Sequence, residues 1–206
     1  MTLANFTELK TEIANFLNRD DLTSIIPTFI RLAEARMNRD FRHWRMEKRV
    51  TATLDTQFTS LPLDFIAPIR LTLNTADTKI LELAGNNEIG GIRADALNST
   101  GEPSYYAIVD GAIEVYPSPD ASYTLELLYY GTIDGLNESN TTNWVITNYP
   151  DLYLYATLLQ SAPYLMEDER IGVWASYYSN AVETLNTEND LAKHGGSGRR
   201  MKIRSY

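Results

Sequence analysis

The chain has no cysteine and only two histidines in 206 residues. Disulfides, thiolate metal sites and cysteine nucleophiles are therefore excluded by composition. His43 and His194 alone leave little material for histidine metal centres or histidine acid–base chemistry. Long apolar runs are also missing. Nothing approaches the roughly eighteen consecutive apolar residues of a membrane span, and residues 1–15 lack the basic start and apolar stretch of a secretory leader. The expectation is a protein with no membrane span and no export leader. No glycine-rich phosphate loop follows a strand pattern. Asp110-Gly111 and Asp134-Gly135 sit in no calcium-loop frame, and no internal repeat or low-complexity tract is visible. What remains, 44% apolar and 22% charged, is ordinary globular composition.

Positive charge is scarce over most of the chain. Residues 50–192 hold only Arg70, Lys79, Arg93 and Arg170 against twenty acidic side chains, whereas residues 1–49 are slightly basic and residues 193–206 hold five basic and no acidic ones. An acidic body repels a polyanion, so a main surface built to grip nucleic acid is not expected. The basic end is separate. Lys193, Arg199, Arg200, Lys202 and Arg204 flank or follow Gly195-Gly196-Ser197-Gly198, a spacer too poor in apolar residues to fold alone.

Phe6, Leu9, Ile13, Phe16 and Leu17 form one helical stripe, with Asn5 as its cap and Glu8 as capping-box partner. After Asn18-Arg19-Asp20-Asp21, a second helix is predicted to bury Ile25, Ile26, Phe29, Leu32, Ala33 and Met37 and to run to about His43, with Pro27 in its first turn. From Arg49 the period becomes two. Val50–Leu54, Phe58–Leu61 and Ile69–Leu73 alternate as strands, Pro62 and Pro68 marking edges or bends. Tyr105–Val109 and Ala112–Tyr116 read as a hairpin on Asp110-Gly111, whose residues tolerate the positive φ of a type I′ turn. Tyr123–Tyr130 is expected to extend that hairpin into a three-stranded antiparallel meander. Residues 86–97 read as a poor helix weakened by Gly90-Gly91. Pro150 opens a further helix with Leu152, Tyr155, Ala156, Leu159 and Ala162 inward and Pro163 ending or kinking it. A last helix buries Ile171, Trp174, Tyr177, Tyr178, Ala181 and Leu185.

The two flanking helix pairs each need apolar cover. The expected fold class is thus α+β: a four-helix layer, two helices from each end of the chain, with an inserted antiparallel β domain and a flexible basic C-terminal tail. The boundaries read as 1–45 for the N-terminal helical hairpin, 46–148 for the β domain, 149–193 for the C-terminal helices and 194–206 for the arm.

Catalysis finds no foothold. His194-Gly195-Gly196-Ser197-Gly198 lacks the spacing and the preceding strand of a serine elbow. Glu167-Asp168-Glu169 point in different directions on a helix and suit its positive N-terminus better than a cation. No cofactor, metal or catalytic residue is expected, and His43 reads as a helix-end residue packed on the sheet. Two other features invite contact. Arg36, Arg39, Arg42 and Arg45 recur every third residue with Glu34, Asp40 and Glu47 interleaved, which fits DNA contact or ion pairing within or between chains, the acidic β block favouring pairing. Thirteen tyrosines are a heavy load, and part of it, including Tyr105, Tyr106, Tyr130 and Tyr153, is expected between subunits as an alternative to core packing.

The strings LAEARMNRDFR, SLPLDF, GEPSYYAIVDGAIEVYPSPDASYTLELLYY, TNWVITNYPDLYLYATLLQSA and DERIGVWASYYSNAVETL, in this order and spacing, resemble the head–tail adaptor or head-completion proteins of tailed bacteriophages, particularly the short-tailed kind. The resemblance spans the chain and rests on the collinear set. It implies a structural, non-enzymatic connector forming a ring of twelve copies between the portal and the distal tail, in the neck of the virion, assembled in the host cytoplasm, with DNA passing through its channel without specific binding. The implied partners are the portal protein, the distal tail or nozzle protein, further copies of itself, and tail fibres as an additional candidate, with no membrane. The portal-binding arm would map onto Lys193, Arg199, Arg200, Met201, Lys202, Ile203, Arg204 and Tyr206. Two rivals stand beside it: a carbohydrate- or protein-binding virion β module without ring assembly, and an undetected hydrolase.

Overall fold

In the computed structural model of the chain, residues 3–75, 77–95, 99–165 and 169–195 are described. Asn5 starts α1 (Phe6–Leu17) by accepting the Glu8 amide proton on its side chain. Glu8 reaches back to the Ala4 amide at 2.8 Å, a capping box displaced by one residue. Asn18 closes the helix in the left-handed region, φ 54°, which asparagine tolerates. Phe6, Leu9, Ile13 and Leu17 face inward as expected, while Phe16 stays exposed.

The second helix, α2 (Ile26–Asp40), carries Pro27 in its first turn and ends before the expected His43. Its termination is local chemistry. Phe41 turns extended, and the Arg42 guanidinium donates to the carbonyls of Asn38 and Phe41 at 2.6 and 2.7 Å, satisfying helix-end acceptors. Ile30 and Glu34 join the buried face, and Leu32 is left outside.

Past a 3-10 turn at Trp44–Met46 come β1 (Glu47–Leu54), β2 (Phe58–Ser60), β3 (Phe65–Leu73), β4 (Lys79–Ile80), β5 (Glu82–Leu83), α3 (Asn86–Asp95), β6 (Tyr105–Val109), β7 (Ala112–Tyr116) and β8 (Tyr123–Gly131). They make two four-stranded sheets, ordered β1-β8-β3-β4 and β2-β7-β6-β5. The β6–β7 hairpin turns on Asp110 and Gly111, both at positive φ, as a type I′ turn demands. The expected meander does not form. The outer edge of β7 is taken by β2, so the chain crosses to the other sheet, where nine-residue β8 lies antiparallel between β1 and β3. Nor is the β domain wholly antiparallel: β5 runs parallel to β6, because α3 carries the chain back between them. Pro68 is accommodated between two register shifts of β3, at a stretch where β4, paired only at Thr72 and Leu73, does not reach.

Between the sheets, Leu54, Leu71, Leu73, Leu125, Leu127 and Tyr129 meet Tyr106, Ile113 and Val115. Each fully buried side chain of this size contributes about 2 kcal/mol. On the other face of the second sheet, Ile89 of α3 packs with Ala84, Ala107 and Tyr116. At the end of β8 the Asp64 carboxylate accepts from Lys48 Nζ at 2.8 Å and Tyr129 Oη at 2.9 Å. Burial opposes its charge, yet these bonds and the Lys48 charge hold its pKa below the usual carboxylate value.

After β8 come α4 (Trp144–Asn148), α5 (Pro150–Leu165) and α6 (Ile171–His194). The chain divides into two units, Met1–Met46 with Ile133–Tyr206, and Glu47–Thr132. Residues 133–148, expected in the β domain, therefore go with the helices. The reason is a buried polar network. Asn38 Oδ1 accepts from the Ile133 amide at 2.9 Å, while Glu34 Oε1 accepts from the Leu136 amide at 2.7 Å and the Tyr153 hydroxyl at 2.6 Å. Asn143 donates to the Asp134 carbonyl and to Tyr153 Oη, and its oxygen caps α4.

α5 packs against α1, α2, α4 and α6. Leu152, Tyr153, Ala156, Thr157, Leu158 and Ser161 are all fully enclosed, so it is covered nearly all round rather than along one stripe. The Thr157 and Ser161 hydroxyls donate back to Tyr153 and Leu158 carbonyls of the same helix. α6 is one-sided. Trp174, Tyr178, Leu185 and Asn189 face inward, and Tyr177 lies outside.

Burial raises the pKa of Glu34, its hydrogen bonds and the charge of Arg31 offsetting only part of this. A native pKa above the unfolded one means the folded state holds the proton more tightly, so this contribution to stability is present below the ordinary carboxylate range and lost as pH rises through the folded value. Denaturant melts between pH 4 and 8 are expected to show that fall in the wild type and not in Glu34→Gln. Glu34→Ala leaves the Tyr153 hydroxyl and Leu136 amide without an acceptor and should cost about 3 kcal/mol at neutral pH.

Candidate functional site

The arm residues Arg199, Arg200, Met201, Lys202, Ile203, Arg204 and Tyr206 lie outside the described residues, as do Glu167 and Asp168. Lys193 is exposed in the last turn of α6. That helix stops at Gly195, whose amide donates to the Leu191 carbonyl at 2.7 Å. A Cβ there would run into that same carbonyl, so glycine is needed for the approach.

The four arginines do not form one stripe, because α2 ends at Asp40. Arg36 donates from Nε to Asp40 Oδ2 at 3.2 Å and lies 4.8 Å over the Tyr178 ring. Tyr178 in turn donates to Asp40 Oδ2 at 2.7 Å; burial, then the Asp40 bond and charge, push its hydroxyl pKa up. Arg36 thus joins α2 to α6. Arg42 closes α2, and Arg45 lies 4.9 Å over the Trp44 ring. Only Arg39 of the four is both on α2 and exposed. On the same face, Arg31 and Ala35 are exposed too, at the four-residue spacing that aligns side chains, with exposed Leu32 beside them.

The expected interface tyrosines separate likewise. Tyr153 is fully buried and Tyr106 is 4% exposed, each inside its own unit, so neither can reach another subunit. Tyr105 is half-buried against the Ala84–Ile89 cluster, and Tyr130 half-buried opposite Glu47 on β1. His43 is packed on helices and not on the sheet. It stacks on Trp144 with centroids 4.9 Å apart and planes 14° apart, beside Tyr149. The Trp44 amide donates to Asn189 of α6 at 2.8 Å.

Two concave surfaces stand out. In the β unit an apolar cleft of about 240 Å³ is lined by Val50, Ala52, Leu61, Pro62, Ile113, Leu125 and Leu127. It opens between β1 and β2, the outermost strands of the two sheets. In the helical unit a groove of about 290 Å³ lies along α5 and α6, lined by Tyr149, Asp151, Tyr155, Tyr177, Thr184 and Glu188. Tyr155 and Tyr177 stack at 4.9 Å with planes 23° apart. Tyr149 donates to Glu188 Oε2 at 2.6 Å, and burial followed by that bond pushes its pKa up to about 12.

The sequence reading placed Tyr155 and Tyr177 in buried stripes. The missed signal is that adjacent Tyr177 and Tyr178 lie about 100° apart on a helix and cannot both face inward. Among the described residues no cluster of three or more acidic or histidine side chains is placed to hold a metal ion, and no helix is long and apolar enough to cross a membrane.

The separation of the arginines is testable. Arg36→Ala should lower stability by about 1 kcal/mol, the scale of a partly buried cation–π contact plus an ion pair, whereas Arg39→Ala should leave the thermal midpoint unchanged. Equal losses in both would contradict the assignment.

The residues that matter here are surfaces and their supports. No curated protein matches the chain. The model of the SU10 adaptor protein family matches residues 4–201, nearly the whole length, and the chain belongs to that family of phage head–tail adaptors.

Proposed function

We propose that this adaptor is a passive connector of twelve copies closed into a ring between the portal and the distal tail, part of the channel through which DNA passes. In this reading α1, α2, α5 and α6 make the helical layer of the ring, and the β unit, with its apolar cleft, serves the distal tail partner. The carrying observation is the charge order of the chain: a body with twenty acidic and four basic residues between 50 and 192, then five cations and no acid from 193 to the end. An acidic wall lets a polyanion slide, since phosphate contacts would multiply over the copies of a ring. A basic segment on a glycine-rich tether suits attachment to an acidic socket, where many weak arms act together if their reach matches the spacing of the sockets. Lys193, exposed at the end of α6, starts that segment.

Arg199, Arg200, Lys202 and Arg204 would carry the portal contact, with Met201, Ile203 and Tyr206 as its apolar component. Virion location below the portal vertex and assembly in the host cytoplasm follow from the same reading. A binding module without ring assembly would also use the cleft, whose apolar lining suits a protein segment better than a sugar. The mass of the assembly separates the two.

Replacing Arg199, Arg200, Lys202 and Arg204 by alanine is expected to leave the melting curve unchanged and weaken docking on the portal at least about tenfold, with added salt weakening the wild type in the same direction. Undiminished docking by a chain cut after Lys193 would remove the arm from the mechanism.

A further inference from the structure

We infer that neighbouring copies of this chain meet head to tail, the Arg31–Arg39 face of α2 in one copy seating in the tyrosine groove between α5 and α6 of the next. The inference rests on the ring reading for its setting and adds which surfaces meet.

The first surface is α2 on the side away from its core. Ile30, Ala33, Glu34 and Met37 are buried, while Arg31, Leu32, Ala35 and Arg39 are exposed, Leu32 at 47%. Arg31 and Arg39 make no ion pair or hydrogen bond among the described residues. The helix therefore exposes two guanidinium groups about 12 Å apart along its axis, Arg31 also lending its charge to the buried Glu34, with an uncovered leucine and a small alanine between them. Arginine beside an apolar contact is the composition of an interface centre.

The second surface is the groove. Its stacked Tyr155–Tyr177 pair stands at one end, with Tyr177 half exposed, and Tyr149 and Glu188 at the other, with Asp151 and Thr184 along it. From Tyr177 to Glu188 the groove follows α6 for about 16 Å, enough for both arginines. Carboxylates and tyrosine faces are what guanidinium groups bind. This chain already makes the same contact internally, with Arg36 over Tyr178 at 4.8 Å and Arg170 over Trp174 at 5.0 Å.

The two surfaces complement each other and not themselves. One is cationic, the other carboxylate-lined, so a twofold contact centred on either surface would set like against like. Because the inner side of α2 packs on α5, its outer face points away from the α5–α6 groove of its own copy. Each copy that gives its arginine face thus keeps a vacant groove for the next, the condition for growth until a ring closes.

With no native cysteine, Arg39→Cys and Thr184→Cys supply the only thiols of a double variant. Treated with a flexible bismaleimide, both in assembled particles and at high concentration in solution, the double variant is expected to give a ladder of dimers, trimers and higher species on a denaturing gel. Each single variant should give almost none. In parallel, Arg39→Glu should weaken assembly at least about tenfold while leaving the melting temperature unchanged. Particles holding many copies without a ladder would overturn the surface pairing and leave the ring intact. Dimers from a single-cysteine variant would show a symmetric contact and overturn it as well. A single copy per particle would overturn the ring reading itself.

Discussion

The fold depends on one buried carboxylate. After the β unit the chain must return to the helices, and residues 133–143 have little regular structure of their own to guide it. Glu34 on α2 receives the Leu136 amide and the Tyr153 hydroxyl, and Asn38, one turn later, receives the Ile133 amide. Asn143 then ties the returning loop to Tyr153 and caps α4. Gly135 passes so close that a Cβ would sit 3.1 Å from Glu34 Oε2. Backbone donors that would otherwise be buried without partners are thereby satisfied. Desolvating a carboxylate opposes folding, but an aliphatic residue in its place could not accept those two protons, and the returning chain would lose its register on α2.

From that anchor α5 is set, and α5 sets everything else in the helical unit. Since it is enclosed by α1, α2, α4 and α6, the positions of α2 and α6 are both referred to it. The links between those two helices are polar and aromatic: Tyr178 and Arg36 on Asp40 and, just past α2, Trp44 on Asn189, while Tyr149 on Glu188 ties α6 to the start of α5. Arginines of similar sequence context therefore have different work. Those with internal partners hold helix ends and helix pairs; Arg31 lends its charge to the buried Glu34 from an exposed position, and Arg39 remains as surface.

Much of this was legible from residue order. Asn5 with Glu8, the stripe of α1, and Asp110-Gly111 each encode local geometry that nothing elsewhere overrides. Periodicity marks Tyr123–Tyr130 as a strand, but it reports faces and not partners, so it points to the neighbouring hairpin in place of the opposite sheet that the strand joins. β4 and β5, two residues each, are too short to have a period. α4 spans five residues and announces itself only through Asn143. The arginine repeat makes one stripe only if the helix runs past Asp40, where Phe41 and Arg42 end it. For α5 a one-sided stripe does not describe a segment apolar all round, in which Tyr153 is enclosed and Tyr155 only half-buried. Surface function was the least legible part, since exposure depends on which residues neighbours leave uncovered.

In the ring proposed for this adaptor, the accuracy of assembly lies in the angle between two surfaces of one body. In the proposed contact those surfaces are the outer face of α2 and the groove of α5 with α6, and the angle is set by the packing of both helices on α5. A small rotation of α2, repeated at every junction, would accumulate around a ring and change how many copies close it. This gives a physical reason for burying α5 so completely and for fixing α2 to α6 with directional bonds in addition to apolar contact: close-packed side chains and short hydrogen bonds resist rotation. The buried Glu34 belongs to the same requirement. Its cost in desolvation is borne at the helix whose orientation the proposed contact would read.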